Sequence, residues 1–243
     1  MKRRSIALAA AAVACGAAWA QVPKLDDLIK GAGALPATGG GSSADAKTDA
    51  AGIKEALAVG TERAVKILGR ENGFFGNAAV KILMPSSLQK VAEVARMAGY
   101  QKQVDEFILS MNRAAEAAVP LAAKYFGDAI RGMTLEDVHG ILTGGNTAAT
   151  DFFRRKTGDQ LYTAFKPVVS EKVNQVGATR AYKDMMGRYE KMPLMGSQSL
   201  DLDDYVTKKS LDGLFLVLGQ EEKKIRTNPA ARTTDLLKTV FGK

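Results

Sequence analysis

The stretch Lys208-Lys209-Ser210-Leu211-Asp212-Gly213-Leu214-Phe215-Leu216-Val217-Leu218-Gly219-Gln220-Glu221-Glu222-Lys223-Lys224-Ile225-Arg226-Thr227 decides the fold. Leu211, Phe215, Leu218 and Ile225 return at three-, four- and seven-residue spacings, which places them on one face of an α-helix. Asn228-Pro229 interrupts the run, and a final helix carrying Leu236, Leu237, Val240 and Phe241 follows.

The same period runs backward through the chain. Thr179 caps a helix with Tyr182, Met185, Met186 and Tyr189, which Pro193 ends, and a short helix covers Leu202 to Val206. Thr157-Gly158-Asp159-Gln160 has the form of a capping box before Leu161, Phe165, Val168 and Val169, separate from a helix over Thr147 to Lys156. Thr134-Leu135-Glu136-Asp137 has a looser form of the same box before a short helix to Leu142. Further upstream, Pro120 breaks a helix begun at Gln101, and another helix resumes over Leu121 to Arg131. Pro85 opens a helix that Gly99 ends, and Ile53, Leu57, Ala64, Ile67 and Leu68 mark the first. Phe74 and Phe75, in the turn-rich Asn72–Asn77 segment, are expected to plug the core. Val80 to Met84 is a short apolar run, and a single such run makes no sheet. The expectation is an all-α, single irregular multi-helix bundle of about 8–10 helices with no significant sheet.

Ahead of the bundle the composition changes. Lys2, Arg3 and Arg4, the apolar Ile6–Ala14 and Ala18-Trp19-Ala20 form an export signal over residues 1–20. Residues 21–48 read as a short helix, Lys24–Lys30, and a flexible Gly/Ser-rich linker, leaving 49–243 as the helical domain. No segment is apolar over the roughly 18 residues a spanning helix needs. Cleavage after Ala20 would remove Cys15, the only cysteine, and give a cysteine-free mature chain in the periplasm. The alternative is Cys15 as the acylated start of a lipid-anchored envelope protein, although Ala12 stands where such signals favour Leu.

The chain has 46% hydrophobic and 25% charged residues, as folded proteins do, and a formal charge of +8. Loss of Lys2, Arg3 and Arg4 leaves 31 basic against 26 acidic residues. That excess suits anionic lipid headgroups, polyanionic glycans or extracellular nucleic acid and selects none of them; the partner expected is an anionic envelope component or a protein.

Catalytic motifs are thin. Ser87-Leu88-Gln89-Lys90, Ser110-Met111-Asn112 and Lys156-Thr157-Gly158 match S-x-x-K, S-x-N and K-T-G of penicillin-interacting enzymes. K-T-G belongs on a strand there, and here it stands at a helix start. Ser87 with Lys90 therefore remains only as an alternative, a serine-dependent hydrolase. His139 is the sole histidine, so no histidine metal site is expected, and no catalytic residue or cofactor is assigned. Asp201, Asp203 and Asp204 lack calcium-loop spacing and read as helix-cap residues.

The densest polar segment is Glu221 to Thr234. Glu222 and Arg226 stand four apart in the favourable acid-first order, and Arg226 and Arg232 flank Asn228-Pro229. Either these residues form a capped corner between helices, or their guanidinium forks bind an anion. Asn112, Arg113 and Glu116, with Arg154 and Arg155, are the other residues that could join such a binding cluster. A third alternative is a carrier with an apolar ligand in an interhelical cavity.

Gly73-Phe74-Phe75-Gly76-Asn77, Ser110–Glu116, Thr147-Ala148-Ala149-Thr150 and Glu221 through Phe241 resemble the bacterial family called domain of unknown function 4197, over about Gly52 to Gly242. The resemblance implies an exported, mainly helical protein and carries over no activity and no functional residue.

Overall fold

The computed structural model describes residues 41–175, 201–235 and 237–238. Among them the chain is an irregular all-α bundle without a β-strand. Its helices are α1 (Gly41–Leu68), α2 (Ser86–Met97), α3 (Gln101–Ala118), α4 (Ala122–Arg131), α5 (Leu135–Thr143), α6 (Ala148–Gln175) and α7 (Leu202–Thr227). Two single 3₁₀ turns, Val119–Leu121 and Pro229–Ala231, follow α3 and α7.

α6 and α7 pack along each other. α3 lies on α6, α1 lies on α7, and α4 bridges α1 and α6. Phe126 of α4 fills the space between them, with ring centroids 4.8 Å from Phe153 and 6.2 Å from Phe215. Tilted pairs of this kind add roughly 0.5–1.5 kcal/mol each beyond area burial. Of the two phenylalanines expected to plug the core, Phe74 is fully buried and enters beside Gly213 of α7, whereas Phe75 stays half-buried with Lys81 Nζ 4.0 Å from its ring centroid. A Cβ on Gly213 would stand 2.6 Å from the Phe74 ring, so only glycine lets the two approach.

Local stop signals act as read. Gly99 ends α2 with φ +88°, a left-handed conformation that glycine adopts without strain. Pro120 turns the end of α3 into the 3₁₀ step before α4. Thr134 and Asp137 form a reciprocal capping box at α5, and Asp201 caps α7 by accepting from the Asp204 N–H.

Three boundaries differ from the sequence reading. α1 begins at Gly41, inside the stretch assigned to the linker. Ala44, Ala46, Ala50 and Ala51 are strong helix formers and extend a helix whose later turns are anchored in the core. The Thr157–Gln160 box does not start a helix, because α6 runs unbroken from Ala148 to Gln175. Phe153, Thr157, Leu161, Phe165, Val169 and Val173 make one buried stripe at four-residue spacing, and Thr157 Oγ1 donates to the Phe153 carbonyl instead of capping. Pro167 is tolerated inside that helix on its exposed side, where the carbonyl it leaves can meet water. The separate Leu202–Val206 helix likewise merges into α7, with buried Thr207 bonded back to the Asp203 carbonyl at 2.6 Å.

The signal, the Lys24–Lys30 helix, the Thr179–Pro193 helix, Leu236, Val240 and Phe241 lie outside the described residues. No helix among the described residues is long and apolar enough to cross a membrane. The expectation of a cysteine-free chain is corrected: the chain carries one cysteine, Cys15.

Candidate functional site: two glutamate clamps and an arginine corner

Glu222 projects from the last turns of α7 into the start of α6. The first N–H groups of a helix have no partner within it and need an outside acceptor. Glu222 Oε1 accepts from the Ala149 N–H at 2.9 Å, while Oε2 accepts from the Thr150 N–H and hydroxyl, each at 2.9 Å. Arg226, one turn on, donates to Oε1 from Nε and Nη2 at 3.0 and 2.9 Å, and from Nη2 to the Ile141 carbonyl at 2.8 Å. The two side chains are only 13% and 8% exposed, so this is a buried pair and not a surface one. Beside it lies a cavity of about 20 Å³ between α1 and α7, lined by Ile53, Leu57, Gly60 and Ile225 among others. It has room for about one water.

Beyond Thr227 the chain turns at Asn228, whose Oδ1 accepts from the Ala230 N–H at 3.0 Å. Arg232 folds back on the end of α7, donating to the Ile225 and Arg226 carbonyls at 3.1 and 2.9 Å. Helix-end carbonyls carry partial negative charge and attract cations in this way. Arg63 reaches the same turn from α1, donating to the Ala231 carbonyl at 3.3 Å and Thr233 Oγ1 at 3.4 Å. Lys223 and Lys224 are exposed next to them, the latter 2.6 Å from Glu221.

The second set is a separate brace built on the same plan. Buried Glu116 on α3 accepts from the Phe74 and Phe75 N–H groups at 3.0 and 3.2 Å, and Arg113 bonds its other oxygen at 2.6 Å. Arg113 also holds Glu71 and Asn72, both at 3.0 Å, where Asn72 adopts φ +62°. Asn112, fully buried, pairs its side-chain amide with the backbone of Ile82 in both directions at 2.8 Å. The amide thus does for the 81–85 segment what a rung of a neighbouring strand would do. Phe74 marks this brace at the level of Gly213, roughly 13 Å along α7 from Glu222 at the usual helical rise. The Asn112, Arg113 and Glu116 set therefore does not join the Arg226 corner. Arg154 lies over the Phe215 ring, 4.5 Å from its centroid, and 3.9 Å from Asp212, while Arg155 is exposed.

The remaining candidates sit elsewhere. Ser87 and Lys90 are both exposed on α2, and among the described residues no hydrogen bond joins them. The K-T-G letters lie in the middle of α6, and His139 is exposed on α5. Among the described residues no group of three or more carboxylate or histidine side chains is placed to hold a metal ion. At the start of α7 the Tyr162 hydroxyl donates to Asp204 at 2.6 Å. That bond, followed by Lys208, holds the Asp204 carboxyl below its ordinary value. The Thr134 backbone N–H does the same for Asp137.

Sequence reading missed Arg63, Thr150 and the Ile141 carbonyl. Thr150 carried a faint signal, since the Thr147–Thr150 stretch starts a helix. Arg63 carried none, standing like any charged residue on α1.

Neither the curated proteins nor the solved structures hold a match to the chain. The model of the family described as "Protein of unknown function (DUF4197)" matches residues 43–242, from the first turn of α1 to the C-terminus, and takes in both clamps and the arginine corner. The chain belongs to that family.

Proposed function

We propose that this is an exported, non-catalytic helical interaction protein of the cell envelope, whose basic corner at the end of α7 holds an anionic envelope component or an acidic partner protein. The observation that carries the reading is the gathering of Arg63, Arg226 and Arg232, from three parts of the chain, at one helix end. Arg226 serves as an internal pin. Arg232 and Arg63 are half-buried, and their guanidinium groups are already held by backbone carbonyls and, for Arg63, the Thr233 hydroxyl, so little side-chain entropy is lost when an anion meets their remaining N–H groups. The residues 1–20 signal supports a periplasmic location, and anchoring through Cys15 is the second form of the same reading. No cofactor is required.

The test is retention on heparin and on vesicles containing phosphatidylglycerol in low salt. Arg63→Ala/Arg232→Ala should elute from heparin at clearly lower salt than a Lys90→Ala/Lys102→Ala control, which removes equal charge from an exposed surface elsewhere. Equal elution of the two folded variants would remove the corner as a binding site.

A further inference from the structure

We propose that Asn72 is a latent deamidation site, held unreactive by the fold of its own turn and by Arg113. Asn72-Gly73 is the one Asn-Gly pair in the chain. In that pairing the backbone nitrogen after the asparagine reaches the side-chain amide most easily, because glycine brings no Cβ to obstruct it. The Gly73 nitrogen gives up its proton and bonds to Asn72 Cγ, and the side-chain nitrogen leaves as ammonia. Water then opens the resulting succinimide to aspartate or to isoaspartate.

The turn requires this labile pair. Asn72 stands at φ +62°, a left-handed conformation that asparagine tolerates better than most residues. A Cβ on Gly73 would stand 2.4 Å from the Leu68 carbonyl oxygen and 2.6 Å from that of Ile67, so no side chain fits there. Asn72 is exposed, and water has access to it.

The same turn withholds the geometry of attack. The Asn72–Gly73 peptide is bonded at both ends. Its N–H donates to the Arg70 carbonyl, and its carbonyl accepts from the Gly76 N–H, each at 3.0 Å. The nitrogen can approach Cγ only by rotation of that peptide plane, which breaks both bonds. Arg113 fixes the other reactant, donating from Nη2 to Asn72 Oδ1 at 3.0 Å. It is itself anchored by Glu116 at 2.6 Å and Glu71 at 3.0 Å. Reaction therefore waits on local opening of the turn, and its rate reports how often the turn opens. Isoaspartate lengthens the main chain by a carbon just ahead of Phe74, whose N–H is bonded to Glu116 and whose ring fits against Gly213. Conversion thus strains the seat of the core plug.

The experiment holds the full chain in neutral buffer and follows Asn72 by peptide mapping with mass spectrometry. The folded protein should deamidate there at least about tenfold more slowly than the same chain in urea. Arg113→Ala, shown to be folded by circular dichroism, should react about threefold or more faster than folded wild type. Arg113→Lys keeps the charge and loses the fork, so it should also react faster, and it carries the test if the alanine variant does not fold. Arg226→Ala, which weakens the fold away from this turn, should react at the wild-type rate. Equal rates in the folded and urea-unfolded chains would overturn the proposal, as would Arg113 variants that react no faster than wild type. An acceleration in Arg226→Ala as large as in the Arg113 variants would overturn it too, by making global opening the controlling step.

Discussion

Replacing Glu222 by alanine tests the α6–α7 clamp directly. The substitution removes the acceptor from two backbone N–H groups, one hydroxyl and the Arg226 guanidinium. A buried donor left without a partner costs about 1–3 kcal/mol, and breaking a buried ion pair from one side about 3–5 kcal/mol. These do not add in full. The Thr150 hydroxyl can rotate to a new acceptor, and the adjoining cavity of about 20 Å³ can admit a water to the vacated space. The net loss should be about 4 kcal/mol, or roughly 8–16 °C in Tm for a domain of this size. Arg226→Ala should lose about 2 kcal/mol, because the Ile141 carbonyl loses a donor and Glu222 its counter-charge, while Glu222 keeps its backbone donors. The double variant should cost less than the sum of the singles by about 1–2 kcal/mol, since the charge stranded by the first change is removed by the second. Urea unfolding followed by circular dichroism gives all three values. A Glu222→Ala protein within about 1 kcal/mol of wild type, or strict additivity in the cycle, would refute the clamp.

Asn112→Ala should cost about 3 kcal/mol by the same unfolding measurement, because it strips both bonds from the buried Ile82 backbone. Gly158→Ala should gain about 0.5–1 kcal/mol, since position 158 lies inside α6 and a Cβ there meets open space. The urea midpoint should also fall on acidification. Asp137 and Asp204 have lowered pKa values in the fold, so their contribution is complete above about pH 4, the unfolded value, and is lost as pH drops through the lower folded one. Asp137→Asn should weaken that acid dependence and leave the slope above about pH 5 unaltered.

The features legible in the sequence were those set by neighbours along the chain. Gly99, Pro120 and the Thr134–Asp137 box act within one turn of themselves, and each ends or starts a helix as read. Thr157 has equally good local credentials and fails. Its hydroxyl meets the Phe153 carbonyl as readily as an N–H, and the buried stripe on either side favours an unbroken helix. The corner divides in the same way. The Glu222–Arg226 spacing is visible in the sequence, but their partners are not. Ala149, Thr150 and Ile141 stand 72 to 85 residues away, and no property of those positions advertises a carboxylate or guanidinium arriving from α7. Arg63 lies 168 residues from the carbonyl it bonds.

That distance has a consequence for assembly. An isolated α6 begins with open N–H groups, and its terminal turn is satisfied only when a carboxylate from α7 is in place. Completion of one helix is thus conditional on docking of another, and the Phe74–Phe75 turn stands in the same relation to α3. The first dependency spans the connection between α6 and α7, while the second lies wholly N-terminal to it. Separately expressed halves, cut between α6 and α7, should therefore each be poorly structured and regain native helicity only on mixing. Such wiring favours a single concerted unfolding of the bundle over the stepwise loss of independent hairpins.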